Sequence, residues 1–486
     1  MSLAVGLIFS LALVACGWWP MRRWGAHWSD SPWWSRAALA AALGVVFTGY
    51  VQWTLSLLGV ATGPWPPLLL ALLSLTATRA RWGLGAGDGQ ALTQPGQRGV
   101  PGTAETHAPA EARAQQAESP GPADAQRTES PAESAEASPS PWGQRALVCV
   151  VLGLALVSAG VGLSQPFMGD GSKFWAMRAR ELAHDPVLSV PSLTDADRAG
   201  FHPNYPLLVP LVLAPVFAWS PPDAAVGPKL VLQLLALSLL ALLARLLWPL
   251  GAAGRWALVA FASMPGWTSL DVREGFVSGG YVDVTCALFL LLLVEGVDRL
   301  RQERVGRQGI MLCVLAAGGL VSTKLEGGVE LLIVALAWIL AGPLRARAAL
   351  LLGGAGLLAL PALITRQLVL AAPESPRLAF LMDPEVLLAR GAPLLIGLAG
   401  MLLDVSCFGL LPLLLLGLSW SGRRRLGPLL PWLLLGVAGF LVAAYLASPM
   451  HVSRHLYTSV HRLGFHWMAA IAVLIARAAS RGAGLY

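Results

Sequence analysis

Apolar runs recur from one end of the chain to the other, near residues 2–18, 37–60, 65–78, 145–164, 228–248, 256–270, 282–297, 309–322, 328–342, 348–369, 391–419, 428–447 and 463–479. A helix needs about 20 residues to cross roughly 30 Å of hydrocarbon, so the pattern predicts thirteen helices, several of them short. Arginines cluster between them, at Arg22/Arg23/Arg36, Arg79/Arg81, Arg145, Arg245/Arg255, Arg299/Arg301/Arg304/Arg307, Arg345/Arg347, Arg423 to Arg425 and Arg477/Arg481. If the thirteen runs alternate, all of these clusters fall on one side, which the positive-inside rule makes cytoplasmic. The N-terminus is then outside and the C-terminus inside. One further run, Tyr205 to Trp219, is short and bounded by Pro203, Pro206, Pro221 and Pro222. Counting it as a crossing would move Arg245 and Arg255 outside, so it reads as a re-entrant element packed against protein.

Between Arg81 and Arg145 the chain turns to Gly, Pro, Ala, Ser, Gln and Glu, with almost no bulky apolar residue from Val100 to Pro141. Such a stretch cannot bury enough surface to fold. The expected organisation is an N-terminal three-helix membrane unit (1–82), a disordered cytoplasmic linker (83–143) and a transmembrane body (144–486) with an outer loop at 165–204.

Composition strengthens the membrane reading. Of 486 residues, 56% are hydrophobic and 13% charged, with a mean hydropathy of +0.63, against roughly 45–50% and 25% in soluble domains. The fold class expected is an all-α polytopic membrane protein with twelve or thirteen transmembrane helices. The net charge of +7 needs no nucleic-acid partner, because basic cytoplasmic loops account for it. The five cysteines sit in or beside apolar runs without CxxC spacing, so neither a disulfide framework nor a zinc site is indicated. The first run lacks a preceding basic region and a small-residue cleavage site, and reads as a retained helix.

The outer loop 165–204 is the richest polar stretch in the body. Phe174, Trp175, Met177 and Leu182 recur at spacings near three and four, which predicts an amphipathic helix over 172–184 lying in the interface, with Arg178 and Arg180 towards headgroups. Asp170 just precedes it, either as a reactive carboxylate or as an ordinary helix cap or turn former beside glycine.

Other ionisable residues border apolar helices, where a functional role is the default expectation. Lys324 is one of only three lysines, with Lys173 and Lys229, in a chain of 31 arginines. Its ammonium suits a phosphate as a point charge, unless it snorkels to the interface with Glu326 solvated beside it. Asp283 begins a helix, where the macrodipole alone favours a carboxylate. Four of the eight histidines lie between His451 and His466. No HxxxH pair with a third carboxylate is evident there, and Arg454 and Arg462 beside Tyr457 suit phosphate recognition better.

These residues resemble a known family. Gly169-Asp170-Gly171-Ser172-Lys173-Phe174-Trp175-Ala176-Met177-Arg178-Ala179, followed by His202-Pro203-Asn204-Tyr205-Pro206, is similar to the first outer loop of bacterial GT-C membrane glycosyltransferases, relatives of protein mannosyltransferases and aminoarabinose transferases. Gly280-Tyr281-Val282-Asp283 resembles the family's GYAD-type element, Thr323-Lys324-Leu325-Glu326-Gly327 its TKxEG element, and Ser459 to Arg462 its late S-x-x-R segment. Relatives often carry Asp where this chain has Asn204 and His461. The resemblance covers 165–470 and leaves 1–144 without a counterpart.

It implies an enzyme that moves a sugar from a polyprenyl-phosphate carrier to an acceptor hydroxyl or amine of a glycan, lipid or protein on the outer membrane face, as part of cell-envelope chemistry. Asp170 is the expected catalytic base. The expected substrate-binding residues are Lys173, Trp175, Arg178, His202, Asn204, Tyr205, Tyr281, Asp283, Lys324, Glu326, Ser459 and Arg462. No cofactor is assigned and a divalent metal stays open, and the expected location is the bacterial inner membrane. The rival reading is a transporter or flippase of a lipid-linked substrate, which composition permits equally.

Overall fold

The computed structural model describes residues 1–24, 28, 31–85, 141–195, 204–221, 223–267, 279–302, 307–342, 345–369, 384–447 and 452–481. Among these residues the regular structure is helical, without strands. In chain order the α-helices are α1 (Ser2–Trp24), α2 (Trp33–Leu57), α3 (Trp65–Gly85), α4 (Pro141–Ser164), α5 (Met177–Leu182), α6 (Pro191–Thr194), α7 (Leu208–Trp219), α8 (Val226–Leu247), α9 (Gly251–Ala262), α10 (Asp283–Arg301), α11 (Arg307–Thr323), α12 (Glu326–Ala341), α13 (Arg345–Val369), α14 (Pro384–Leu402), α15 (Val405–Phe408), α16 (Leu411–Gly422), α17 (Leu429–Leu446) and α18 (Val452–Ser480). The linker expected over 83–143 falls almost wholly on 86–140, outside the described residues.

Among the described residues eight helical stretches are long and apolar enough to cross a membrane, so the chain is an all-α multi-pass membrane protein. The remaining apolar runs form shorter or more polar helices, and three of the thirteen runs differ from the sequence expectation. The run at 391–419 is broken into α14, the short α15 and α16, because Asp404 accepts from the Ser406 amide at 3.0 Å and starts α15, and Gly409 then turns the chain at φ +57°. The run at 256–270 ends early as the helix α9, which stops at Ala262. The last run begins at Val452 rather than near 463, so the polar segment before it is helical too. With 29 residues, α18 is about 43 Å long at 1.5 Å per residue. The proline-bounded run at 205–219 forms α7, of 12 residues and so about 18 Å. That is too short to span, and Leu208 to Phe217 are all buried against protein.

α10 is the axial helix. Every residue from Asp283 to Val297 is buried, as expected where the stretch 284–294 is apolar on all faces, and α8, α11, α12 and α18 pack about it. Helices α1 and α2 meet backbone to backbone: a Cβ on Gly17 would lie 1.7 Å from the Ala40 carbonyl, and one on Gly44 1.8 Å from that of Leu13. Small residues allow such approach in a medium where apolar burial alone gives no preference for helix contacts. α2 in turn braces the body. The Tyr50 hydroxyl donates to the Gly318 carbonyl at 3.0 Å and meets the Ser322 hydroxyl at 2.6 Å, and Trp53 Nε1 donates to Thr365 at 2.8 Å.

The bundle has two unlike ends. At one, Arg245, Arg299, Arg301, Arg425, Arg477 and Arg481 gather with Ser31 and Trp28. The other holds the outer-loop helices, fixed at their start by Lys229, which donates to the carbonyls of Gly162, Gln165 and Pro166 at 2.7–2.9 Å. These carbonyls close α4 and the turn after it, where a helix leaves its acceptors unsatisfied.

Candidate active site

Asp170 is carried to the site by a docked loop. The Met168 amide donates to the Gly279 carbonyl at 3.0 Å. A Cβ on Gly171 would sit 2.3 Å from that same oxygen, so only glycine lets the two strands of chain approach this closely. The contact sets Asp170 beside the Gly280–Asp283 corner at the head of α10. The chain then makes a π-helical turn, Gly171–Ala176, before α5. Asp170 makes no side-chain cap hydrogen bond to that turn. Its carboxylate is turned away, towards α18.

Four carboxylates and three nitrogenous groups converge there. Asp283 is fully buried. Its Oδ1 accepts from Lys324 Nζ at 3.0 Å and lies 2.8 Å from His466 Nε2, while Oδ2 accepts from Arg462 Nε at 2.9 Å. The same guanidinium donates through its NH1 group to Asp170 Oδ2 at 2.5 Å and lies over the Tyr281 ring, 4.3 Å from its centre. Lys324 also approaches Glu326 at 3.5 Å. Beyond Asp283, His466 Nδ1 meets Glu330 Oε1 at 2.6 Å. With both carboxylates ionised, only the doubly protonated ring donates to both.

Exposure orders these groups. The side chains of Asp283, His466 and Glu330 are completely buried, those of Lys324 and Arg462 nearly so, while Asp170 is 34% and Glu326 24% exposed. Asp170 and Glu326 therefore form the accessible rim over a buried charged floor. Such a floor is rigid, because removing one partner strands another charge away from water. Among the described residues both fixed cations keep donors to spare: an ammonium has three N–H groups and a guanidinium five, of which the contacts above use two each.

Of the residues expected at the site, Asp170, Tyr281, Asp283, Lys324, Glu326 and Arg462 come together. Lys324 is not a snorkelling side chain, being 4% exposed and paired, and Asp283 is bound by three partners rather than by the helix dipole alone. Trp175 and Tyr205 pack ring to ring at 5.4 Å, and Tyr205 lies within the field of Glu326, Lys324, Asp170 and Arg462. Ser459 makes no direct contact with the cluster among the described residues: its hydroxyl donates to the His455 carbonyl at 2.9 Å and meets that of Tyr445 at 3.1 Å. Lys173 is exposed, and no contact among the described residues joins it or Asn204 to the cluster. His202 lies outside the described residues.

The interfacial helix expected over 172–184 is corrected. Phe174, Trp175, Ala179 and Leu182 are buried in the protein core, because α5 packs on α7. Arg178 is fully buried too, rather than directed at headgroups. Burial pulls its guanidinium down to about 10, opposed by Glu181 and Tyr205, which leaves it charged at neutral pH. Arg180 lies over the Phe217 ring, 5.1 Å from its centre.

Sequence reasoning missed His466 and Glu330 as members of the network. The signal was present: Arg462 and His466, like Glu326 and Glu330, are four apart and share a helix face. Among the described residues no group of His, Cys, Asp and Glu is arranged to hold a metal. His461, instead, has its Nε2 2.7 Å from Asp404 Oδ2. Set against known protein families, curated proteins and solved structures, the chain matches none.

Proposed function

We propose that this protein is a membrane glycosyltransferase of the GT-C class, moving a sugar from a polyprenyl-phosphate carrier to an acceptor on the outer face of the membrane. The observation that carries the reading is the convergence of residues from four distant resembling segments: Asp170, Tyr281 with Asp283, Lys324 with Glu326, and Arg462. In this reading Asp170, the exposed carboxylate, accepts the acceptor's proton as its oxygen or nitrogen attacks the anomeric carbon. Arg462 fixes the carboxylate's orientation from behind. The bond from the anomeric carbon to the carrier phosphate breaks, and the charge left on that phosphate is met by the spare donors of Lys324 and Arg462. Asp283, shared by both cations, holds them in place.

A second reading, transport of a lipid-linked substrate, is favoured by the chain Asp283–His466–Glu330, since buried carboxylates and histidine in series also form proton relays. Proteoliposomes supplied with labelled polyprenyl-phosphate sugar and a mixture of envelope acceptors separate the two. Label moving from carrier to acceptor supports the enzyme. Label crossing the bilayer while still on its carrier, with no transfer, supports the transporter.

A further inference from the structure

The basic end of the bundle contains a second polar structure that the proposed reaction does not use. α8, α10 and α18 enclose a cavity of about 250 Å³ there, lined by Arg245, Arg299, Gln302, Arg477 and Arg481 among others. Two buried carboxylates hold the lining arginines in place. Glu295 is bound by Arg299 and by Arg477 at 2.6 Å, and Asp298 by Arg477 at 3.0 Å, Arg301 at 3.3 Å and Gln302 at 2.8 Å. Three arginines thus outnumber the two carboxylates they hold. Two more have no carboxylate partner among the described residues: Arg245, whose Nε donates to the Ser31 hydroxyl at 3.0 Å, and Arg481. The lining is a preorganised excess of guanidinium groups, the side chain best matched to phosphate oxygens.

Exposed tryptophans give the depth of this cavity. Trp142, Trp256 and Trp420 are 76%, 62% and 73% exposed on helices α4, α9 and α16 near their basic ends, with Arg145 over Trp142 and Arg423 over Trp420 at 5.6 and 4.4 Å from the ring centres. Exposed tryptophan beside arginine marks the headgroup level of a bilayer. The volume is also below the roughly 300 Å³ at which pockets for whole small molecules begin. A lipid needs only its headgroup enclosed, since its chains stay in the bilayer.

We propose that this cavity binds the phosphate headgroup of an anionic phospholipid, at the end of the bundle opposite the candidate active site. Basic pockets between transmembrane helices recognise lipid headgroups by this chemistry.

The test is thermal unfolding of the purified full chain in neutral detergent, titrated with phosphatidylglycerol, phosphatidylcholine or inorganic phosphate. Phosphatidylglycerol is expected to raise the midpoint saturably, and phosphatidylcholine and inorganic phosphate are not. Arg245→Gln and Arg481→Gln should each raise the half-saturating phosphatidylglycerol concentration about fivefold, and together about 25-fold, at the usual contribution of one basic residue near an anionic surface. Arg481→Gln breaks no ion pair among the described residues, so it remains informative if Arg245→Gln folds poorly. An equal response to phosphatidylcholine, a double variant that responds like the unmodified chain, or a full shift from millimolar inorganic phosphate alone would overturn the proposal. The last outcome would assign the cavity to a soluble anion.

Discussion

Arg462 and Asp170, 292 positions apart in sequence, meet at 2.5 Å, and the same guanidinium holds Asp283 at 2.9 Å. One residue of α18 therefore ties the exposed carboxylate of the outer loop to the buried carboxylate at the head of the axial helix. A carboxylate held in this way cannot swing freely in the outer loop. It presents its remaining oxygen in a fixed direction, which is what a proton acceptor in a bimolecular attack requires.

Lys324→Met tests the floor of the site. Asp283 would keep Arg462 and His466 but lose one buried partner, a loss of about 1–3 kcal/mol. The thermal midpoint in detergent should fall, and the affinity for the polyprenyl-phosphate donor should drop about tenfold or more, as for a lost charged hydrogen bond. An unchanged midpoint together with unchanged affinity would return Lys324 to an interfacial role.

His466 and Glu330 form the deepest contact of the network, and a double-mutant cycle measures it. His466→Phe strands the Glu330 carboxylate, and Glu330→Leu leaves His466 with Asp283 alone; breaking a buried pair costs about 3–5 kcal/mol, and the second variant should cost less than the first. The double variant should cost less than the sum, with a coupling of about 0.5–3 kcal/mol. Strict additivity of the two unfolding free energies would contradict the contact.

Gly171→Ala tests the docking of the outer loop. The new methyl group would meet the Gly279 carbonyl oxygen at 2.3 Å, so the loop must move and carry Asp170 away from Arg462. Displacement of a reacting group by about 1 Å can cost 10²-fold in rate, and transfer should fall by about that much while membrane insertion stays normal. Full activity would show that the loop is not held where the structure places it.

Sidedness is tested by thiol labelling in intact cells, in a Cys149→Ser background because Cys149 is the exposed cysteine. Cysteine at Ser189, exposed on the outer loop, should react with an impermeant reagent, and cysteine at Arg424, exposed at the basic end, should not. The reverse pattern would invert the topology inferred from the arginine clusters.

The long helices were legible because lipid demands one continuous apolar run per crossing. The break at Asp404 to Gly409 was not, because a single cap and one positive-φ glycine leave a Leu-rich run looking uninterrupted. The charged residues Asp170, Asp283, Lys324 and Arg462 stood out in the sequence because charge beside apolar helices is costly and therefore rare. His466 and Glu330 were hidden for the opposite reason: each reads as a lone polar residue until the tertiary fold supplies its partner. Arg178 was misread because the periodicity over 172–184 reports one apolar face, and says nothing of whether lipid or α7 covers it.

The central claim rests on Asp170, and Asp170→Asn is its most direct measurement. The substitution keeps the side chain's size and its ability to cap or turn the chain, and removes only proton acceptance. With labelled donor in proteoliposomes, turnover should fall about 10²–10⁴-fold, the usual contribution of a general base, while expression and donor binding persist. Near-normal turnover in Asp170→Asn would contradict the account and place the base elsewhere.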